Sequence, residues 1–183
     1  MSQIWMTSDW HFCHSQPFIY EPRGFKNQYE MNAAIIERHN AIVQADDEVY
    51  VLGDCILNDN EEGIKCIKQL KGQIHIIKGN HCTNSRIELY KTCPNVVEVC
   101  DAKWLKIGKQ SFFLSHYPCL TDNYDDDKPL SRKIISLCGH VHTPDKWHDW
   151  NNGLIYHVEM DAHNCTPVSI EQIINDIKEK INE

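Results

Sequence analysis

Five times in this chain, a run of apolar and β-branched residues ends directly on side chains that bind metals. The first run, Gln3–Ser8, leads into Ser8-Asp9-Trp10-His11, and the second, Glu48–Leu52, into Gly53-Asp54. The third, Gln73–Lys78, leads into Gly79-Asn80-His81. Ser111–Ser115 continues as His116-Tyr117-Pro118, and Ile134–Cys138 as Gly139-His140-Val141-His142. Such runs read as strands, and the loops after strands are where a rigid sheet can aim functional groups. Residues two apart on an extended chain share a face, so Asp9 with His11, and His140 with His142, are each expected to converge on one cleft. The glycines beside Asp54, Asn80 and His140 allow tight turns and close backbone approach.

Two more strands are read at Lys103–Ile107 and Leu154–Met160. Helical periodicity predicts a helix over Gln28–Val43, with Met31, Ala34, Ile35, Ala41 and Ile42 on one side, and another over Glu61–Leu70. In the last segment Ile170, Ile173, Ile174, Ile177 and Ile181 form one apolar stripe, with Ser169 and Gln172 as a capping box. Strands alternating with helices, followed by strand-rich sequence, predict a layered α/β fold with sheet at its centre. The polar stretch Thr121–Pro129, with the charge run Asp125-Asp126-Asp127, reads as a surface loop.

At 183 residues the chain is expected to form one domain, residues 1–183. No basic n-region or long apolar stretch opens it, no window approaches 18 apolar residues, and its nine cysteines include no CxxC pair. These features predict a reduced, cytoplasmic setting rather than a membrane or a disulfide framework. A formal charge of −8 with four arginines argues against a duplex nucleic-acid surface, although two divalent ions would create a local anion site. Carboxylate, amide carbonyl and imidazole together suit Mn, Fe, Zn or Ni better than an all-oxygen Mg or Ca cage, with Mn the first choice.

In this order the motifs resemble those of the calcineurin-like metallophosphoesterase superfamily: D-x-H, G-D, G-N-H, H and G-H-x-H. The stretches Ser8–His14, Arg23-Gly24-Phe25, Glu30-Met31-Asn32 and Asp161…Thr166–Ser169 are similar to its small bacterial and phage members. The resemblance implies a four-layer α/β/β/α sandwich with two divalent metals at one edge. One metal would take Asp9, His11 and His142, the other Asn80, His116 and His140, and Asp54 would bridge them. A bridging hydroxide would be the nucleophile. His81 would serve the phosphate or the leaving oxygen, with a carboxylate such as Asp9 holding its other nitrogen. Departures are Cys82, where many relatives carry an acid, and Cys13, where glycine is frequent. Gly53-Asp54 continues as Cys55-Ile56-Leu57-Asn58, without the arginine motif of protein Ser/Thr phosphatases.

The remaining readings are local. Arg23 and Arg86 follow site motifs and are the candidate phosphate clamps, against a solvated loop or helix face. His14 is a candidate substrate contact, alongside Asn80 and His81. Cys13, Cys55, Cys82, Cys119 and Cys138 lie near motifs and are read as small, partly buried hydrophobes. Asp161 and His163 read as a strand end before the last helix, and Trp147, Trp150 and Tyr156 as sheet packing. His39, His75, His148 and His157 have no motif context. The expected activity is hydrolysis of a small phosphodiester or nucleotide; a nuclease and a non-catalytic binding scaffold are the alternatives. The oligomeric state is not encoded in any of these features.

Overall fold

A computed structural model describes residues 2–121, 129, 132–148 and 154–182. The Asp125–Asp127 run and Trp150 lie outside the described residues, as does the Ile181 side chain.

The chain runs β1 (Ile4–Thr7), α1 (Pro17–Tyr20), α2 (Gln28–Ile42), β2 (Glu48–Leu52), α3 (Asn60–Lys68), β3 (Gln73–Ile77), α4 (Asn84–Tyr90) and β4 (Val96–Cys100). It continues with β5 (Lys103–Ile107), β6 (Gln110–Leu114), β7 (Ile134–Cys138), β8 (Ile155–His157), β9 (Val168–Ser169) and α5 (Ile170–Asn182). One sheet has the order β4-β3-β2-β1-β9 and the other β5-β6-β7-β8. β1 to β4 pair in parallel and β9 closes the edge antiparallel to β1. In the second sheet β6, β7 and β8 are parallel, and β5 is antiparallel to β6.

Strand alternation divides the core in two. Val49, Val51, Ile74 and Ile76 face the helices, where they meet Met31, Ile35, Ile64 and Ile67. Tyr50, Leu52 and Ile77 point the other way and meet Phe112, Leu114, Ile135 and Leu137 of the second sheet. This burial on both faces is why the parallel strands read as nearly unbroken apolar runs. Each such buried aliphatic side chain stabilises the fold by about 1.5–3 kcal/mol relative to exposure. α5 sets Ile170, Ile173 and Ile177 into the inter-sheet cluster, and Ser169 Oγ accepts from Gln172 N at its start. The α/β class with two facing sheets is as expected. Against the outer face of the second sheet lie the 117–121 segment, where Cys119 N–H donates to Ser136 Oγ, and His148, packed on His157.

Two local readings change. β4, β9, α1 and α4 are additional elements. On α2 the buried face is Met31, Asn32, Ile35 and His39, whereas Ala41 is exposed. Both polar residues earn burial through their partners: Asn32 Oδ1 accepts from Cys13 N–H and His39 Nε2 donates to Lys71 O. His75 is also structural. It stacks on Tyr50 with ring centroids 4.5 Å apart and pairs with Glu48 and Glu98 on the neighbouring strands.

Candidate metal centre

The loops after β1, β2, β3, β6 and β7 carry all seven expected ligands to one edge of the sandwich. The backbone there is not extended strand. Asp9 (φ 56°), His11 (48°), Asp54 (49°), His140 (75°) and His142 (55°) are all left-handed, a conformation that costs a non-glycine residue about 1–3 kcal/mol. The pairs Asp9/His11 and His140/His142 therefore converge through repeated left-handed turns, not through strand pleat. Neighbouring loops stabilise these turns: Asp9 N–H donates to Gly53 O (3.1 Å) and His11 N–H to Asp54 O (3.0 Å). The glycine at Gly79 answers to space. A Cβ there would stand 2.8 Å from Asp54 Cγ.

Two groups of donor atoms face each other across the cleft. In the first, His11 Nε2 and His142 Nε2 are 3.1 Å apart, and Asp9 Oδ1 lies 3.6 and 3.7 Å from them. In the second, Asn80 Oδ1 is 2.8 Å from His116 Nε2 and 3.0 Å from His140 Nδ1, and those two nitrogens are 3.2 Å apart. Asp54 Oδ2 stands between the groups, 4.0 Å from His11 Nε2 and 3.3 Å from His116 Nε2.

The residues fit divalent metals on two counts. Donors bonded at about 2.1 Å to one ion, at 90–109° to each other, stand about 3.0–3.4 Å apart, close to the spacing within each group. Asp9 Oδ1 is buried with no hydrogen-bond partner, an expensive state for a carboxylate unless a cation completes it. Clusters of Asp9, His11 and His142, and of Asp9, Asp54 and His116, each bring their donor atoms within 4.8 Å.

The electrostatics favour the ligating form of Asp9, Asp54 and His11, whereas at His116 and His142 burial is outweighed by neighbouring carboxylates, which raise both imidazoles. Burial alone would raise the Asp9 carboxyl, but the neighbouring imidazoles, His11 foremost and His142 and His116 beyond, hold it down to about 2. Burial likewise opposes ionisation of Asp54, and the His116 imidazole outweighs it and lowers the carboxyl. Burial lowers His11, favouring the neutral ring. Acceptor partners fix two ring orientations: His116 Nδ1–H donates to Leu52 O (2.7 Å) and His142 Nδ1–H to Asp161 Oδ2 (3.0 Å). Asp9 Oδ2 accepts from His140 N–H (2.9 Å) and from the Ser8 hydroxyl.

Several expected substrate residues have other work. The side chain of Arg23, read as a phosphate clamp, is 1% exposed. Its guanidinium is taken up by Asp161 (2.7 and 3.0 Å) and by the Asp9 carbonyl (3.0 Å). Arg86 donates to His81 O (2.7 Å) and Asn60 Oδ1 (2.8 Å), bracing the turn that carries His81. Asp9 does not hold His81, since its Oδ2 is used by Ser8 and His140; the carboxylate near His81 Nε2 is Asp54, at 3.9 Å. His81 and His14 do line the cleft, a space of ≈ 430 Å³ that also has Phe18, Ile19 and Leu57 in its wall. Burial holds the His14 imidazole down to about 4. All nine cysteines are free; Cys13, Cys55 and Cys138 are buried, and Cys82 Sγ accepts from Gly79 N–H (3.2 Å). Trp147 packs edge-on to Tyr156, as expected of sheet packing. Asp161, read from the sequence as a strand end, is instead a turn residue with a role at the ligand set. Its own D-x-H spacing to His163 was the available signal, yet its partners are Arg23 and His142.

Two facing sheets with a carboxylate–imidazole–amide cluster at their strand ends define an α/β sandwich with a candidate metal centre at one edge. Residues 3–158 match the calcineurin-like phosphoesterase superfamily domain, and the chain belongs to that superfamily. It is 40% identical over 83 residues to the uncharacterized protein MJ1445 of Methanocaldococcus jannaschii, covering 44% of this chain and 47%, about half, of that one. The Gene 66 protein of Mycobacterium phage D29 is 25% identical over 98% of this chain and 99% of its own. Among solved structures, a protein of unknown function from Aquifex aeolicus, AQ665, shares the fold with a TM-score of 0.70 at 23% identity, covering 96% of this chain and 99% of that one. Among the described residues, no helix is long and apolar enough to cross a membrane.

Proposed function

We propose that this protein hydrolyses a small phosphodiester or nucleotide with two divalent ions, Mn foremost, held by Asp9, His11 and His142 on one side and Asn80, His116 and His140 on the other, with Asp54 shared. The observation that carries the reading is the position of Asp54 Oδ2 between two three-donor groups. When bound, such a pair of ions lowers the pKa of water to give a nucleophile near neutral pH and offsets phosphate charge. The chain's own part is to hold the ligand set and place His81. With its side chain 42% exposed at the cleft, His81 can donate to a phosphate oxygen or protonate the departing one.

Features of the cleft favour a small substrate of low charge. Arg23 and Arg86 turn their donors to protein groups, and Phe18, Ile19 and Leu57 offer an apolar wall to an ester substituent. The test is metal analysis together with hydrolysis of bis-p-nitrophenyl phosphate, a cyclic nucleotide and a phosphopeptide by Mn-loaded protein. About two ions per chain and faster cleavage of the diesters are expected. Two bound ions with no turnover of any phosphoester would reject the enzyme in favour of a binding scaffold.

A further inference from the structure

Asp161 lies 19 positions beyond His142 and 138 beyond Arg23, yet the fold closes the three into one contact. Its Oδ2 accepts from His142 Nδ1–H at 3.0 Å and from Arg23 Nη2–H at 2.7 Å, and its Oδ1 from Arg23 Nε–H at 3.0 Å. The same guanidinium donates to Asp9 O at 3.0 Å and Trp10 O at 3.4 Å. Arg23 thus spans the Asp9–Trp10 backbone and Asp161, and Asp161 spans Arg23 and His142. The side chains of Arg23 and Asp161 are 1% and 13% exposed.

This arrangement exceeds what fold stability asks of it. A buried ion pair is at best weakly stabilising against an apolar pair of the same volume. Its geometry, in contrast, bears directly on the ligands. Because a carboxylate only accepts, the proton of His142 is placed on Nδ1, and the lone pair of Nε2 is left facing Asp9 Oδ1 and His11 Nε2. Partners of this kind fix ring orientation and raise the basicity of an imidazole ligand. The equivalent support for His116 is a neutral backbone carbonyl, Leu52 O.

We propose that Asp161 and Arg23 are positioning residues for the Asp9–His11–His142 ion: Asp161 sets the tautomer and direction of His142, and Arg23 locks Asp161 to the backbone that carries Asp9. The proposal rests on the metal-binding part of the functional reading and not on any substrate. Loss of such a partner costs about 10–100-fold in metal affinity.

The test is Mn and Zn titration of the full chain, with nitrogen NMR of ¹⁵N-histidine protein reporting the His142 tautomer. In the wild type His142 carries its proton on Nδ1. Asp161→Asn preserves shape and should weaken the ion held with Asp9 and His11 about 10–100-fold, while the ion held by Asn80 and His140 shifts less than about threefold. Asp161→Ala combined with Arg23→Met removes the pair without stranding a charge; it should show the same selective loss and a mixed His142 tautomer. Unchanged affinity and tautomer in both folded variants would overturn the proposal. So would failure of both to fold, since the pair would then be a structural strut. Normal metal loading without phosphoester hydrolysis would defeat the proposed activity and leave this inference standing.

Discussion

Replacing Gly139 by alanine adds one methyl group where the strand ends after β1 and β7 pack tightly together. Gly139 is not among the left-handed glycines, so alanine suits its backbone and the effect is steric. The new Cβ would stand 2.7 Å from Ser8 Cβ, and would also run into Ser8 Oγ and Asp9 Oδ2. Carbon atoms in contact sit about 3.5–4.0 Å apart, so the overlap is about 1 Å. Neither neighbour can swing away. Both residues are fully buried; Ser8 Oγ is anchored to Leu52 O (2.8 Å) and Asp9 Oδ2 to His140 N–H (2.9 Å). The strand ends must separate, at an overpacking cost of about 1–3 kcal/mol. For a chain of this size each kcal/mol lowers Tm by about 2–4 °C, giving a drop of about 2–12 °C. Ligand distances must lie within about 0.2 Å of ideal, and disturbing the support of a ligand costs about 10–100-fold in metal affinity, so displacing Asp9 should weaken metal binding by up to about 100-fold. The assay is thermal unfolding with and without Mn. At a free Mn concentration 100 times the wild-type Kd, the metal stabilises wild type by about 2.7 kcal/mol and a variant weakened about 100-fold by about 0.4 kcal/mol. A Gly139→Ala protein with wild-type Tm and wild-type stabilisation by Mn would refute the packing argument.

Asp54→Ala should abolish hydrolysis and weaken both ions, more than Asp9→Ala or His116→Ala does; near-normal turnover would show that Asp54 is not shared. His81→Ala should keep about two metals and its fold while losing about 10²–10⁴ in rate, with less loss for a diester whose leaving group has a low pKa. Metal depletion in that variant would instead make His81 a ligand. Burial holds His39 down to about 4, against about 6.5 in an unfolded chain. Between those values the unfolded state binds a proton that the folded state refuses, so stability falls as pH drops from about 6.5 to 4, by about 3 kcal/mol in all. His39→Gln should flatten the denaturation profile by about 1.4 kcal/mol per pH unit in that window, and an unchanged slope would mean that His39 titrates normally.

The ligand set and the strands that carry it were legible because both are local signals. An apolar run that ends on Asp-x-His or Gly-Asn-His states its strand, its turn and its chemistry within ten residues. Gly79 and Gly139 were legible too, although their reason is tertiary: a Cβ there would strike Asp54 or Asp9. The edge strands of the first sheet were less so. β4 is half-buried and β9 has two residues, so neither shows the unbroken apolar pattern of β2. On α2, apolarity pointed to Ala41 and away from Asn32 and His39, whose burial depends on partners elsewhere in the chain.

Which side chains offer metal-binding groups, and that they follow strands, is written in the chain. How they converge, and which polar neighbours hold them, depends on contacts made across the fold. Left-handed turns at Asp9, His11, His140 and His142 persist because adjoining loops hold them, Gly53 O and Asp54 O accepting from Asp9 and His11. Arg23 looked available for phosphate until Asp161, 138 positions away, occupied its guanidinium. A hydrogen bond across that separation leaves no periodicity or spacing to read. It exists only once the sheets have formed and brought both residues to the same edge.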